Sequence, residues 1–310
     1  MKVLDGPLSA WPRQEPPNAL TVGVFDGVHI GHRMLLERLT ASPYPATVLT
    51  FDPHPAEVLS PGTDPRLLTT IEERVDLLEK AGVDTVGVLH LAEIRHLEPG
   101  RFVSEVLIDR LGIGRLVIGS DFHFGKDRAG DVSYLTGAGE RHGFEVEVVG
   151  LLESDGVVSS SRIRALVEAG DVVAAAALLG SRYRLSNVVI DGEKRGRGLG
   201  FPTANLRPPE RKAIPGHGIY AALAGTGGLV YPAAVNVGVR PTFGESELLI
   251  EAYLLDFEGD LYGSVLTLEF VEHLRPELEF EDVDALIERM NDDVNSVRRI
   301  LNSPVGTSEK

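Results

Sequence analysis

The chain has 310 residues, a net charge of −16 and no cysteine, and 43% of its residues are hydrophobic. This composition is typical of a globular protein and excludes wholesale disorder, while the lack of cysteine excludes disulfides, zinc–thiolate sites and cysteine nucleophiles. The acidic residues are spread over both halves, which argues against a nucleic-acid partner or an anionic membrane. No apolar segment is long enough for a membrane span or a secretory signal, so the cytoplasm is the expected location.

The first half alternates strand-like with helix-like segments. Five short apolar segments predict strands, at 20–25, 46–51, 84–89, 115–119 and 144–149. Helical patterns lie between them, near 31–40, 69–81, 100–111 and 131–142. A β–α repeat of roughly 30 residues predicts an open parallel sheet with helices on both faces, that is, a Rossmann-like α/β domain.

The pattern changes after two further helices, which are predicted near 160–169 and 171–179. Strand-like segments separated by Gly and Pro turns follow, at 183–190, 217–224, 229–237, 248–257 and 262–271. They predict an antiparallel barrel or sandwich, and a terminal helix is predicted at 282–301. The length is that of two domains, which we place at 1–182 and 183–310. Residues 1–17 and 303–310 are assigned no structure.

A histidine motif, TVGVFDGVHIGH, directly follows the first predicted strand. Gly27 and Gly31 allow a tight turn and close approach of a ligand, and His29 and His32 lie one turn apart at the start of a helix. Imidazoles and free N–H groups at a helix N-terminus stabilise phosphate charge, so the motif predicts a phosphate site at the carboxyl edge of the sheet. The alternative is two polar turn histidines without a role.

Two other segments support this interpretation. SSSRIR opens a helix at 159–164, where the serine hydroxyls and either Arg162 or Arg164 suit the binding of phosphates, although serine also caps helices for structural reasons alone. GSDFHFG ends the fourth predicted strand and carries Asp121 and Phe122. Its phenylalanines either form apolar walls for a flat ring or fill the core.

The second half contains a separate set of candidate residues. Thr203 and Asn205 in the extended segment FPTAN point the same way, and their oxygens are suitable ligands for Mg²⁺. The preceding loop, with Gly196 and Gly198, is either a phosphate-covering loop or a flexible basic turn. Glu251 lies in an otherwise apolar strand, where it is either a general base for an attacking alcohol or an edge residue in solvent.

Together these segments resemble the bacterial bifunctional riboflavin kinase/FMN adenylyltransferases, also called FAD synthetases. The resemblance rests on GVFDGVHIGH, TFDPHP, GSDFHFG, SSSRIR, GFPTAN, NVGVRPTF, the strand that begins at Glu251, and LYG, in that order. It covers residues from about 18 to 300 and implies two ATP-dependent steps that require Mg²⁺. The C-terminal β-barrel with its terminal helix is expected to phosphorylate riboflavin to FMN. The N-terminal nucleotidyltransferase domain is expected to adenylylate FMN to FAD and release pyrophosphate.

The resemblance also implies roles for single residues. His29 and His32 would bind and activate ATP next to Gly27 and Gly31. Glu251 would be the catalytic base of the kinase step. The other implied contacts are Ser160, Ser161, Arg164, Gly196 and Gly198 with ATP phosphates, Asp121 and Phe122 with the flavin, and Thr203 and Asn205 with Mg-ATP. Tyr253 stands where the family usually has histidine.

Three alternatives remain at this stage. HIGH also occurs in class I aminoacyl-tRNA synthetases, but no KMSKS-like lysine loop is visible in this acidic chain. The chain could instead adenylylate another phosphorylated cofactor and use the barrel only to bind flavin. A flavin-binding regulatory protein without turnover is disfavoured, because a degenerate binder would be expected to lose some of the residues that carry the chemistry. The sequence defines no oligomeric state.

Overall fold

The computed structural model describes residues 1–60, 62, 65–191, 200–241 and 246–302. The chain divides into two units, Met1–Ser160 and Ser161–Lys310, each with its own sheet. This division falls before the two helices that precede the barrel, so the functional boundary at 182/183 stays a prediction. Among the described residues, no helix is long and apolar enough to cross a membrane.

The first unit is built on a six-stranded parallel sheet in the order β1-β4-β3-β2-β5-β6. Its strands are β1 Lys2–Leu4, β2 Asn18–Val22, β3 Ala46–Phe51, β4 Thr85–Leu89, β5 Ile113–Gly119 and β6 Glu145–Val149. Its helices are α1 Ile30–Thr40, α2 Pro55–Leu59, α3 Ile71–Lys80, α4 Leu91–Ile94, α5 Pro99–Arg101 and α6 Val132–His142. The predicted parallel α/β architecture is confirmed.

Apolar side chains cover both faces of this sheet. Leu116 and Ile118 of β5 belong to one buried cluster, while Val117 between them belongs to another. Because successive side chains of a strand point to opposite faces, the sheet is buried on both sides, as its continuous apolar strands predict. This leaves the strand ends, rather than the faces, as the place where polar side chains can meet a ligand.

Three local predictions for the first unit were wrong. Residues 1–17 are not without structure, because Lys2–Leu4 pairs with β4 as an edge strand and Trp11 is 2% exposed. A three-residue strand is too short for a hydrophobic pattern. The second strand ends at Val22 rather than 25, because Phe25 has a left-handed φ of 54°. The segment predicted as one helix at 100–111 is a short α-helix followed by a π-helix, Phe102–Ile108.

The second unit contains two helices and a closed antiparallel barrel in the order β10-β11-β8-β7-β12-β9. The helices are α7 Ser160–Glu168 and α8 Val172–Leu179. The strands are β7 Arg184–Ile190, β8 Ala204–Leu206, β9 Gly218–Thr226, β10 Leu229–Pro241, β11 Ser246–Leu254 and β12 Val265–Arg275. Of the two predicted architectures, the barrel is therefore the one that forms.

The barrel strands separate an apolar interior from a mixed outer face. Ile250, Ala252 and Leu254 are at most 5% exposed and alternate with the half-buried Glu251 and Tyr253. The terminal helix α9, Val283–Asn302, packs Val297 in a cluster with Ala221, Leu255 and Tyr253. The interior supplies the hydrophobic core, while the outer face is available for chemistry where α9 does not cover it.

An ion pair attaches α9 to the barrel. Arg275, the last residue of β12, donates two hydrogen bonds to Asp293, at 3.0 and 2.7 Å, and both side chains are less than 10% exposed. Removal of one partner leaves a buried charge without compensation, which costs more than the pair itself contributes.

We expect Asp293→Ala to lower the free energy of unfolding of the second unit by about 2 to 3 kcal/mol, less than for a fully buried pair. The adjacent Asp292→Ala is the matched control, because Asp292 is 60% exposed and its ion pair with Arg289 contributes little. Urea denaturation monitored by circular dichroism measures both. Equal effects of the two substitutions would contradict the prediction.

Candidate active sites

The first candidate site is the turn between β2 and α1. Phe25, Gly27 and Val28 all have positive φ, of 54°, 81° and 42°, so the chain reverses sharply before the helix begins. His29 is the N-cap of α1, and its Nδ1 accepts a hydrogen bond of 3.3 Å from the backbone N–H of His32. A Cβ at Gly31 would lie 3.3 Å from the His29 ring, which favours glycine there. The turn therefore fixes the position of His29.

A buried carboxylate holds this turn, and the sequence analysis did not identify it. Asp26 is fully buried and accepts hydrogen bonds from the backbone N–H groups of Leu68 and Thr69, each at 2.9 Å, and from the Thr69 hydroxyl at 3.1 Å. Arg74 lies 4.0 Å from it and donates to Thr50 Oγ1 and the Phe51 carbonyl. The Asp26 network thus connects the histidine turn to the end of β3.

The two histidines are stacked and uncharged at neutral pH. Their rings lie 3.6 Å apart at 15°. Burial lowers the pKa of His29 to about 4, although Asp26 opposes this shift. Burial, with the neighbouring His29 and Arg74, holds the pKa of His32 well below its usual value. Because Nδ1 of neutral His29 accepts a hydrogen bond, the hydrogen of this ring is assigned to Nε2, which makes Nε2 a donor.

The stability of the first unit should therefore depend on pH. Because its pKa is lowered in the folded state, His29 binds fewer protons there than in the unfolded chain. The free energy of unfolding therefore falls as the pH drops from about 6.5 to about 4. We expect the double variant His29→Gln/His32→Gln to lose less stability over this interval than the native chain. Urea titrations monitored by Trp11 fluorescence at pH 7.5, 6 and 5 measure this, and parallel losses would contradict it.

Of the residues predicted in the serine motif, only Ser160 is seen in contact with the histidine turn among the described contacts. Ser160 Oγ donates a hydrogen bond of 2.9 Å to the Asp26 carbonyl, so this serine contacts the histidine turn. Ser161 and Arg164 belong to the second unit, where the Arg164 guanidinium donates to Ser161 Oγ at 2.9 Å. Their contact with phosphates stays a prediction.

The two phenylalanines of the loop after β5 differ in their packing. Phe124 is 7% exposed and belongs to the core, whereas Phe122 is half-buried and stacks on it with ring centroids 5.9 Å apart. Asp121 is exposed. Phe124 therefore fills the core, as one of the two alternatives proposed, and the flavin contact of Asp121 and Phe122 stays a prediction.

The second candidate site is a row of polar side chains across three neighbouring barrel strands. The strand register places Glu251 of β11 directly opposite Asn205 of β8 on one side and opposite Asn236 of β10 on the other. We call these three residues the polar row. The sequence analysis identified Asn205 and Glu251 but not Asn236, although an amide in the otherwise apolar strand at 229–237 was a usable signal.

Two amide oxygens of the polar row have no hydrogen-bond partner in the part of the chain that the structure describes. Asn205 is 4% exposed, and within the described ranges neither its Oδ1 nor that of Asn236 has a partner. A buried oxygen of this kind costs about 1 to 3 kcal/mol unless a donor or a cation satisfies it. Such uncompensated groups in a row around a carboxylate are typical of a site that binds a ligand.

A pocket adjoins the Asn205 end of the polar row, and we call it the Thr203 pocket. Its lining residues are Val189, Pro202, Thr203, Ala204, Ala252, Leu254, Phe257, Gly259, Asp260, Leu261 and Tyr262. Leu261 and Tyr262 begin the LYG motif, so this motif and FPTAN meet at one pocket. Gly196 and Gly198 lie outside the described residues.

Both halves of the chain match families of enzymes that transfer phosphate-containing groups from a nucleotide. A family model described as FAD synthetase matches residues 12–162, and one described as riboflavin kinase matches residues 179–301. A bifunctional riboflavin kinase/FMN adenylyltransferase of Pseudomonas fluorescens is 39% identical over 90% of this chain and 92% of its own length. A bifunctional riboflavin kinase/FMN adenylyltransferase of Bacillus subtilis is 32% identical over 94% of this chain and 94% of its own length. The chain belongs to the family of bifunctional riboflavin kinase/FMN adenylyltransferases.

A solved structure shows the same fold. A Streptococcus pneumoniae protein described as a macrolide-efflux protein matches with a TM-score of 0.85 and 28% identity, over 92% of this chain and 95% of that one. The likeness supports the architecture of both units.

Proposed function

We propose that the two activities of the family are divided between the two units of this chain. Riboflavin would be phosphorylated to FMN at the polar row of the barrel, and FMN would be adenylylated to FAD at the histidine turn. The polar row is the observation that carries the proposal, because it places one carboxylate between two amide oxygens that have no partner among the described residues. The cytoplasm is the proposed location, because both steps consume ATP.

In the kinase step, Glu251 acts as the general base. Its carboxylate accepts the proton of the primary hydroxyl of riboflavin as that oxygen bonds to the γ-phosphorus of ATP. The bond between the γ-phosphorus and its bridging oxygen breaks, and ADP leaves with the bond electrons. The half-buried position of Glu251 on a rigid strand fixes the direction from which the hydroxyl approaches.

The residues at one end of the polar row fit Mg²⁺. Mg²⁺ prefers hard oxygen ligands and is usually held by one or two protein groups together with substrate phosphates. Asn205 Oδ1 is buried without a partner in the described part of the chain, and Thr203 lines the adjoining pocket. We propose these two residues as Mg-ATP ligands. Bound there, the ion would neutralise phosphate charge.

In the adenylyltransferase step, the protein mainly positions the reacting groups, because the phosphate of FMN is already a competent nucleophile. The phosphate of FMN attacks the α-phosphorus of ATP, and pyrophosphate leaves, so no strong base is needed. Neutral His29 donates a hydrogen bond from Nε2 to the phosphate oxygens, and His32 stacks behind it. We propose Gly27, Gly31, Ser160, Ser161 and Arg164 as further phosphate contacts, and Asp121 and Phe122 as flavin contacts.

A time course tests both activities. The purified chain is incubated with riboflavin, ATP and Mg²⁺, and riboflavin, FMN and FAD are separated chromatographically. We expect FMN to form first and then give way to FAD. FMN without FAD would contradict the adenylyltransferase assignment. Formation of neither product, even when FMN is supplied, would indicate a flavin-binding protein without turnover.

A further inference from the structure

Asn236 belongs to the polar row, but the proposed kinase step gives it no role. Glu251 has one asparagine on each side, and the row ends in Ile190 opposite Asn205 and Ile219 opposite Asn236. The three polar residues are therefore contiguous, with an isoleucine next to each end of the polar row. Since Asn205 and Asn236 lie on opposite sides of the base, they have different neighbours.

The two sides of Glu251 can be assigned to different substrates. Thr203 precedes β8 and lines the Thr203 pocket, so the nucleotide and its phosphates belong to the Asn205 side. The transferred phosphoryl group and the hydroxyl that attacks it approach each other from opposite directions. The acceptor alcohol therefore reaches Glu251 from the side of Asn236.

The chemistry of Asn236 matches an acceptor that carries several hydroxyls. The side chain is half-buried and its Oδ1 has no partner among the residues described, while its amide offers both a hydrogen-bond acceptor and donors to a substrate hydroxyl. Neighbouring strands lie about 4.8 Å apart, a separation that a chain with hydroxyls on successive carbons can bridge. A hydroxyl next to the reacting one is thus within reach of Asn236 when the terminal hydroxyl contacts Glu251.

A second polar group lies along β10 from Asn236. Gly238 lies two residues further along β10 on the same face, and a Cβ there would collide with the Glu277 carboxylate. Glycine at this position thus lets a hydrogen-bond acceptor from the segment after β12 lie against the strand. A polyol chain that passes Asn236 along β10 thus lies near one further acceptor, the Glu277 carboxylate.

We propose that Asn236 binds the hydroxylated side chain of the flavin acceptor, next to the hydroxyl that is phosphorylated, and so selects flavins that carry this chain. The inference rests on the proposed kinase function of the barrel. It assigns Asn236 to acceptor specificity and Asn205 to the nucleotide, although both are asparagines that flank the same base.

The test compares riboflavin with lumiflavin, which has the same ring system but a methyl group in place of the hydroxylated chain. FMN formation by the full chain gives the KM for riboflavin, the KM for Mg-ATP and the inhibition constant of lumiflavin as a competitor. We expect Asn236→Ala to raise the KM for riboflavin about threefold to tenfold, the effect of one neutral hydrogen bond, and to leave the other two constants unchanged.

Asn205→Ala is the matched control, and it should raise only the KM for Mg-ATP. If Asn236→Ala raises the inhibition constant of lumiflavin and the KM for riboflavin by the same factor, the residue merely supports the packing of the site and the proposal fails. An unchanged KM for riboflavin or a raised KM for Mg-ATP also overturns it. If the alanine variant does not fold, Asn236→Thr suits a strand and keeps an acceptor oxygen, and it should raise the KM for riboflavin less than threefold.

Failure of the kinase assignment would be recognised separately. A native chain that forms no FMN, or a Glu251→Gln variant that still forms it at the native rate, contradicts the proposed function itself. A native chain that forms FMN through Glu251, combined with an Asn236→Ala variant of native selectivity, contradicts only the role of Asn236.

Discussion

Glu251→Gln should lower the rate of FMN formation from riboflavin by at least about 100-fold, because a general base contributes a factor of this order or more. The substitution keeps the size of the side chain and its position opposite Asn205 and Asn236 but removes the group that takes the proton. Initial rates with saturating riboflavin and Mg-ATP measure the loss. FAD formation from supplied FMN should remain at the native rate.

Glu272→Gln is the matched control, since Glu272 is an exposed carboxylate on barrel strand β12 away from the polar row. It should leave both rates unchanged. If Glu251→Gln removed FAD formation from FMN as well, the division of the two activities between units would be wrong. A kinase rate within a factor of a few of the native one would remove Glu251 from the proton transfer.

Asp26→Ala should lower the free energy of unfolding of the first unit by about 3 to 5 kcal/mol, because it leaves Arg74 buried without its carboxylate. Asp26 is 0% and Arg74 2% exposed, so little water compensates the charge. The change also removes the acceptor for three hydrogen bonds from Leu68 and Thr69. We therefore expect adenylylation to be lost together with stability, since His29 follows this turn.

The chain contains a single tryptophan, and Trp11 is buried in the first unit, so its fluorescence in urea reports on this unit. Asp5→Ala is the control, because Asp5 is 69% exposed and its ion pair is with an exposed histidine. It should change the free energy of unfolding by less than about 1 kcal/mol. A midpoint for Asp26→Ala close to that of Asp5→Ala would show that the network around Arg74 is not needed for stability.

Local patterns were sufficient to predict most of the fold. The strand at 46–51 forms at the predicted residues, because a mostly apolar segment of this length between Pro45 and Asp52 favours a buried strand. The helix at 71–80 follows its N-cap Thr70, which forms a capping box with Glu73. The shorter β1 and the left-handed turn at Phe25 depend on distant partners, which no local pattern encodes.

The candidate sites were predictable to a smaller extent. His29, Thr203, Asn205 and Glu251 were found because each lies in a motif or interrupts an apolar strand. The partners of these residues come from elsewhere in the chain: Arg74 approaches Asp26 from α3, and Asn236 aligns with Glu251 only through the register of β10 with β11. The sequence marks Asn236 as an amide in an apolar strand, but its position next to Glu251 follows from tertiary pairing, which a single sequence does not show.

On β11 the proposed base and the core residues lie on opposite faces of one strand. Ile250 is 1% exposed and points into the interior, where Tyr220 and Phe270 are also buried, while Glu251 points outward. We therefore expect a mutation at Ile250 to change the stability of the barrel and one at Glu251 to change its chemistry, whereas Ala252 and Leu254 can affect both, because they also line the Thr203 pocket. The two properties can vary independently during evolution, or in a design that grafts a new acceptor specificity onto an unchanged interior.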